Sequence, residues 1–192
     1  MSRVLFISTA TLKQNSPIEQ NVDDSLLNPY IWKAQETHIQ QILGTNLYDK
    51  LQTLITTNAI GLPQNANYKT LIDDYIVSCL IEWSFYEVMP FISLKITNKS
   101  IVRGNSDYAV EGDLNDLKYL RGTVRDLAQF FSQRISNYLK QYSYNFPEFH
   151  TNSGLDKIVP NSTSYFNGLY LSGTGRYSDC KFGLADKWRD IY

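Results

Sequence analysis

Residues 68–93 carry apolar side chains on almost every face of a helix, and no other feature of the chain limits its fold as much. Leu71, Ile72, Tyr75, Ile76, Cys79, Leu80, Trp83 and Tyr86 form a broad stripe at helical spacing, and Val77, Ile81, Phe85 and Val88 fill the other side. A helix that is apolar all round must be surrounded, so it belongs at the centre of a bundle. Its most apolar part, residues 75–91, contains Glu82 and Glu87 and is short for a lone membrane span, so no membrane contact is expected. Pro90 is expected to kink or end the helix, because proline has no N–H to donate.

The flanking segments supply the surrounding helices. Asn28-Pro29 reads as a helix start, with Asn as N-cap and Pro at the first helical position. Ile31, Gln35, Ile39 and Ile42 then share a face, with Trp32 and Leu43 beside them. Gly44 is expected to provide a left-handed stop. Thr45 is placed to cap a second helix bearing Leu47, Leu51, Leu54 and Ile55. Residues 59–67 read as a loop, and residues 98–112 as a loop or small hairpin. Asp113 is expected to open a last long helix, with Asp116 in the first turn. Leu117, Leu120, Val124, Leu127, Phe131, Ile135, Tyr138 and Tyr142 follow at spacings of three and four.

The expected fold class is therefore mainly α. A small bundle of about four helices fills residues 26–146. An N-terminal arm spans residues 1–25, with a short strand at residues 4–7. An extended, aromatic-rich C-terminal arm spans residues 147–192 and is able to form a β-hairpin. Half of the chain's 10 glycines fall from Gly154 onward, among Ser, Asn and Tyr. The 14 tyrosines suit either a core or a protein interface.

Candidate chemistry is sparse. The formal net charge is −1, which gives no overall pull toward nucleic acid or anionic membrane. Cys79 and Cys180 lie far apart and read as free thiols of a reducing compartment, and residues 1–14 lack the apolar run of a signal peptide. His38 follows Glu36 by two residues, so the two occupy different helix faces. Glu82 and Glu87 are five apart and make poor same-face neighbours. Ser172–Tyr177, SGTGRY, matches neither a P-loop nor a dinucleotide fingerprint. No catalytic residue, cofactor or metal site is assigned, and the chain is not expected to be an enzyme. Lys118, Arg121 and Arg125 fall at i, i+3 and i+7 on one helix face and are placed to meet phosphates. Asp116 and Asp126 dilute this patch, so a merely solvated face is the plainer reading.

The stretch IEQNVDDSLLNPYIWKAQETHIQQILGTNLYDKL, residues 18–51, resembles the N-terminal signature of head–tail connector proteins of tailed bacteriophages. More narrowly it is similar to the ring or adaptor proteins of crAss-like phages. The matching features are Ile18, Asn21-Val22-Asp23, Ile31, Ala34-Gln35, Ile39, Leu43-Gly44-Thr45, Leu47 and Tyr48. The likeness extends in outline to about Tyr142, and residues from Pro147 onward carry no matching pattern. It implies a helical subunit of a ring, roughly twelve-fold, docked under the portal protein. Such a ring extends the channel for packaged DNA and offers a platform to other ring and tail proteins. It implies no catalytic residues, and a place in the virion after synthesis in the host cytoplasm. Asn28, Pro29, Gly44 and Thr45 would form a structural corner, and Lys118, Arg121 and Arg125 would face the DNA-containing lumen. Phe6, Tyr165, Phe166, Tyr170, Tyr177, Trp188 and Tyr192 would contribute subunit or portal interfaces. The alternative is a small helical DNA-binding or regulatory protein, which requires a basic face and salt-dependent binding.

Overall fold

In the computed structural model, residues 4–96, 101–103, 114–151 and 158–160 are described. The expected interface residues Tyr165, Phe166, Tyr170, Tyr177, Trp188 and Tyr192 lie outside them, as does the expected C-terminal hairpin. The described part is mainly helical, as expected. Helix α1 is Thr9–Gln14. Helix α2 runs through Asp24–Ala34, a π-helical turn Gln35–Ile39 and a last turn Gln40–Leu43. Helix α3 is Thr45–Thr56. Helix α4 joins Ala66–Thr70, a π-helical stretch Leu71–Ile76 and Val77–Ser93. Helix α5 is Leu114–Gln141. Between α4 and α5, Leu94–Ile96 and Ile101–Arg103 pair as an antiparallel ribbon, with Lys95 opposite Val102.

Helix α4 is the central element, packed between α2 and α5. Ile76, Cys79, Leu80 and Val88 are fully buried. By length and composition Pro63–Ile92 reaches what a membrane span needs, so the helix is longer than residues 75–91 suggest. Half of its most apolar 18-residue stretch is buried inside the protein. Each large aliphatic side chain sealed there contributes about 1.5–3 kcal/mol. Helix α5 turns Val124, Ala128, Ile135 and Leu139 toward α4. The seam also holds polar contacts: Trp83 Nε1–H donates to Ser132 Oγ at 2.9 Å, and Ser132 Oγ donates to the Ala128 carbonyl at 2.8 Å. The Tyr75 and Tyr138 rings stack in the same seam, 4.1 Å apart. Many tyrosines therefore serve the core, Tyr68 among them: its hydroxyl donates to Glu148 at 2.8 Å.

Several local expectations are corrected. The arm expected at residues 1–25 is built into the core: Phe6, Ile7, Leu12 and Ile18 share one buried cluster with α2, α3 and α4. Residues 4–7 form no strand. Phe6 is thus unavailable as an interface residue; its ring packs on Tyr48 with centroids 5.4 Å apart. Helix α2 begins five residues before Pro29. Asp23 is its N-cap and accepts from the Ser25 N–H, and Asp24 pairs with Lys13 at 2.6 Å. Asn28 and Pro29 lie inside the helix on its exposed side, past the point where they would start it. Pro90 does not end α4, which continues to Ser93.

The corner at Gly44 takes the predicted positive φ, +75°, but with ψ at 158°. This extended, mirror-image region is open essentially to glycine alone. Gly44 itself holds the N-cap position of α3, so Thr45 does not cap that helix; it is the first helical residue. Its N–H donates to the Ile158 carbonyl at 3.0 Å, and its Oγ1 accepts from the Ile158 N–H at 2.9 Å. A Cβ on Gly44 would stand 2.7 Å from Pro160 Cδ. Residues 158–160 therefore close over the corner, and Asn46 Nδ2 bonds the Thr151 carbonyl nearby.

Candidate functional site

The polar groups around α2 prove structural. Gln35 is completely buried in the π turn. Its Oε1 accepts from the Phe6 N–H at 2.9 Å, and its Nε2 donates to the Val4 carbonyl at 2.9 Å and to the Tyr48 hydroxyl at 2.8 Å. Tyr48 in turn donates to Glu36 at 2.7 Å. Burial, with Glu36 beside it, pushes the Tyr48 hydroxyl pKa far up, so it stays protonated. One amide thus ties the N-terminal segment, α2 and α3 together.

His38 points to the other side of α2, as its spacing from Glu36 predicts. Its ring stacks on Trp83, and its Nε2 lies 3.2 Å from Glu87 Oε1. A carboxylate only accepts, so Nε2 carries the proton. Lys33 holds the other Glu87 oxygen at 2.9 Å. Burial lowers the His38 pKa, and Glu87 opposes that only in part. Burial acts to raise Glu87, but its bonds to Lys33 and His38 win and hold it below the usual carboxylate range. Glu82 is half-buried on the edge of α4 and raised by desolvation. Glu82 and Glu87 do not converge on each other, and among the described residues no group of His, Cys, Asp and Glu is arranged to hold a metal ion.

The groups that do converge are basic. Lys118, Arg121 and Arg125 of α5 line a cleft of about 200 Å³, together with Gly122 and with Tyr86 of α4. The Arg121 guanidinium lies over the Tyr86 ring, 4.2 Å from its centroid. Such a cation–ring contact contributes about 0.5–2 kcal/mol and holds the guanidinium over the ring. Arg121 Nε is buried with no hydrogen-bond partner among the described residues. Arg125 also reaches its neighbour Asp126 at 3.2 Å, an exposed contact of little energetic weight.

The i, i+3, i+7 spacing located the three cations correctly, but Tyr86 and Gly122 were missed. Tyr86 reads from sequence as one more member of the apolar stripe. Gly122 left a usable signal: a glycine inside a long helical pattern costs about 1 kcal/mol relative to alanine. No packing need explains it, because a Cβ there would meet nothing within 4 Å.

A second surface feature accompanies the cleft. Tyr119 and Phe130 of α5 are 80% and 62% exposed, and Leu120 and Leu127 are also open to solvent. The helix thus buries one face against α4 and leaves large apolar side chains on another.

Comparison with known proteins gives one match. A family model described as a family of unknown function, DUF6712, matches residues 39–158. The matched span covers more than half of the chain, which belongs to that family. It begins in the π turn of α2 and ends at Ile158, the residue bonded to Thr45. No curated protein and no solved structure matches the chain.

Proposed function

We propose that this member of the family is a structural protein of a phage virion: a head-to-tail adaptor that forms a ring on the portal, extends the DNA channel and carries the tail. The observation that carries this reading is the open apolar face of α5, with Tyr119, Leu120, Leu127 and Phe130. A ring subunit needs such faces toward its neighbours, and soluble monomers rarely keep them. The resemblance over residues 18–51 points the same way, since its residues hold the scaffold. Gln35 and Tyr48 bond each other, and Gly44 and Thr45 seat the closing segment.

The test is to mix the purified chain with the portal protein encoded near its gene and image the mixture by electron microscopy. An added ring stacked on the portal is the expected result. Bare portals with the folded chain left separate would reject the adaptor reading.

The basic cleft favours a second reading, a small helical DNA-binding or regulatory protein. On that reading the free chain retards DNA of a preferred sequence at physiological salt, without any portal. The chain's formal net charge of −1 weighs against it.

A further inference from the structure

We propose that the cleft between α4 and α5 is a built phosphate site, formed by Tyr86, Lys118, Arg121, Gly122 and Arg125, and that it takes the phosphodiester backbone of nucleic acid. Three features of the cleft point to an anionic ligand. The first is charge: the three basic side chains of α5 line one cleft. The second is the state of Arg121. Its guanidinium lies over the Tyr86 ring, and its buried Nε has no partner among the described residues. A planar, pre-oriented fork with a donor to spare suits a phosphate or carboxylate bound through two parallel hydrogen bonds. The third is Gly122, which opens the cleft beside that fork at a cost to the helix and lets a ligand approach the backbone.

The spacing favours a polyphosphate chain over a single small anion. From Lys118 to Arg125 the helix rises roughly 10 Å, at about 1.5 Å per residue. Each phosphate of one strand advances about 3.4 Å along the duplex axis and is also displaced around it, so a row of that length reaches more than one phosphate of a strand. The anion chemistry rests on the cleft alone. Only the choice of nucleic acid as its source rests on the adaptor reading, and that reading stands or falls separately on the ring seen with the portal.

The test uses the full chain and a short DNA duplex at low ionic strength. It reads the Arg121 Nε–H resonance, the affinity and its dependence on salt. The duplex is expected to shift the Arg121 Nε–H resonance. Lys118→Ala is expected to reduce the salt slope by about 0.9, the share of one phosphate contact. Arg121→Lys keeps the charge but loses the fork, so its slope should hold while the affinity falls several-fold. Gly122→Ala is the sharpest variant: the melting temperature should rise, because the helix improves, while affinity for the duplex drops. A solvated basic face predicts the first effect without the second.

Unchanged affinity in both Gly122→Ala and Arg121→Lys would overturn the site, as would an unmoved Arg121 resonance at saturating duplex. A shift produced equally by inorganic phosphate, at matched phosphate concentration, would overturn the choice of nucleic acid in favour of a free anion. A shift produced by a polyglutamate peptide below the duplex concentration would overturn it in favour of an acidic protein partner.

Discussion

The imidazole of His38 lies flat on the indole of Trp83, with ring centroids 3.6 Å apart and planes 6° from parallel. The pair joins the π turn of α2 to the centre of α4, and Glu87 and Lys33 flank it. It also sets how the fold responds to acid. Burial holds the folded-state pKa of His38 below its ordinary 6.5. The unfolded chain therefore binds this proton more readily, and stability is lost as pH falls from about 6.5 toward the folded-state value. Glu87 acts in the same direction lower down. Its pKa is depressed, so its contribution is present above about 4.5 and lost as pH drops through the folded-state value. His38→Gln should flatten the melting temperature between pH 7.5 and 5.5 while leaving the lower acid limb. A wild-type curve already flat in that range would contradict the assignment.

Gln35 serves three partners with one amide. Gln35→Leu keeps the bulk but leaves the Phe6 N–H and the Val4 carbonyl without their partner, and takes one bond from Tyr48. At about 1–3 kcal/mol for each buried group left unmade, a loss of about 3–5 kcal/mol is expected from urea denaturation. Hydrogen exchange at Phe6 should accelerate more than exchange in α4. A loss under about 1 kcal/mol would show that the N-terminal segment is held by its apolar contacts alone.

Gly44 faces two separate obstacles to a side chain, and they can be measured apart. Positive φ with extended ψ costs about 1–3 kcal/mol for any other residue. The clash with Pro160 Cδ and Cγ adds to it. Gly44→Ala should therefore destabilise by more than about 2 kcal/mol. Adding Pro160→Ala should recover the clash part and leave the backbone part. Purely additive effects of the two substitutions would mean that residues 158–160 do not cover the corner in solution.

The long-range architecture was legible where one residue type acted consistently over several turns. The all-round apolar pattern of residues 68–93 and the stripe from Leu117 to Tyr138 each bury enough surface to decide their own fate. Gly44 was legible because only glycine takes its backbone angles. The N-terminal segment was not. Phe6, Ile7, Leu12 and Ile18 stand among Ser, Thr and Asn without a period, and the anchor that docks them is a glutamine on an otherwise apolar face. Asn28-Pro29 misled because capping signals are local and repeated: Asp23 offers an equally good cap, and its neighbour Asp24 finds Lys13 only in three dimensions. For the cleft, three cations could be aligned from spacing, but Tyr86 arrives from another helix, and no local pattern announces that pairing.

Cys79 should behave as an inert thiol. It is completely buried between α4 and α5, and burial pushes its pKa up to about 12. Since the thiolate is the reactive form, labelling at pH 8 should follow global unfolding. The measurement needs a Cys180→Ser background, in which denaturant midpoint and labelling midpoint should coincide. Rapid labelling of the native chain would mean that the seam between α4 and α5 opens locally.

The bonds between Thr45 and Ile158 join residues 113 apart in the chain. During synthesis, at about 5–20 residues per second, the corner at Gly44 waits roughly 6–23 s for the segment that closes it. For that interval the Thr45 N–H and Oγ1 lack the partners they have in the finished fold. The Gly44 bend is thus among the first features made and the last completed. A chain released after Gln141 but before Ile158 carries α1 to α5 and still lacks the clasp over its first corner.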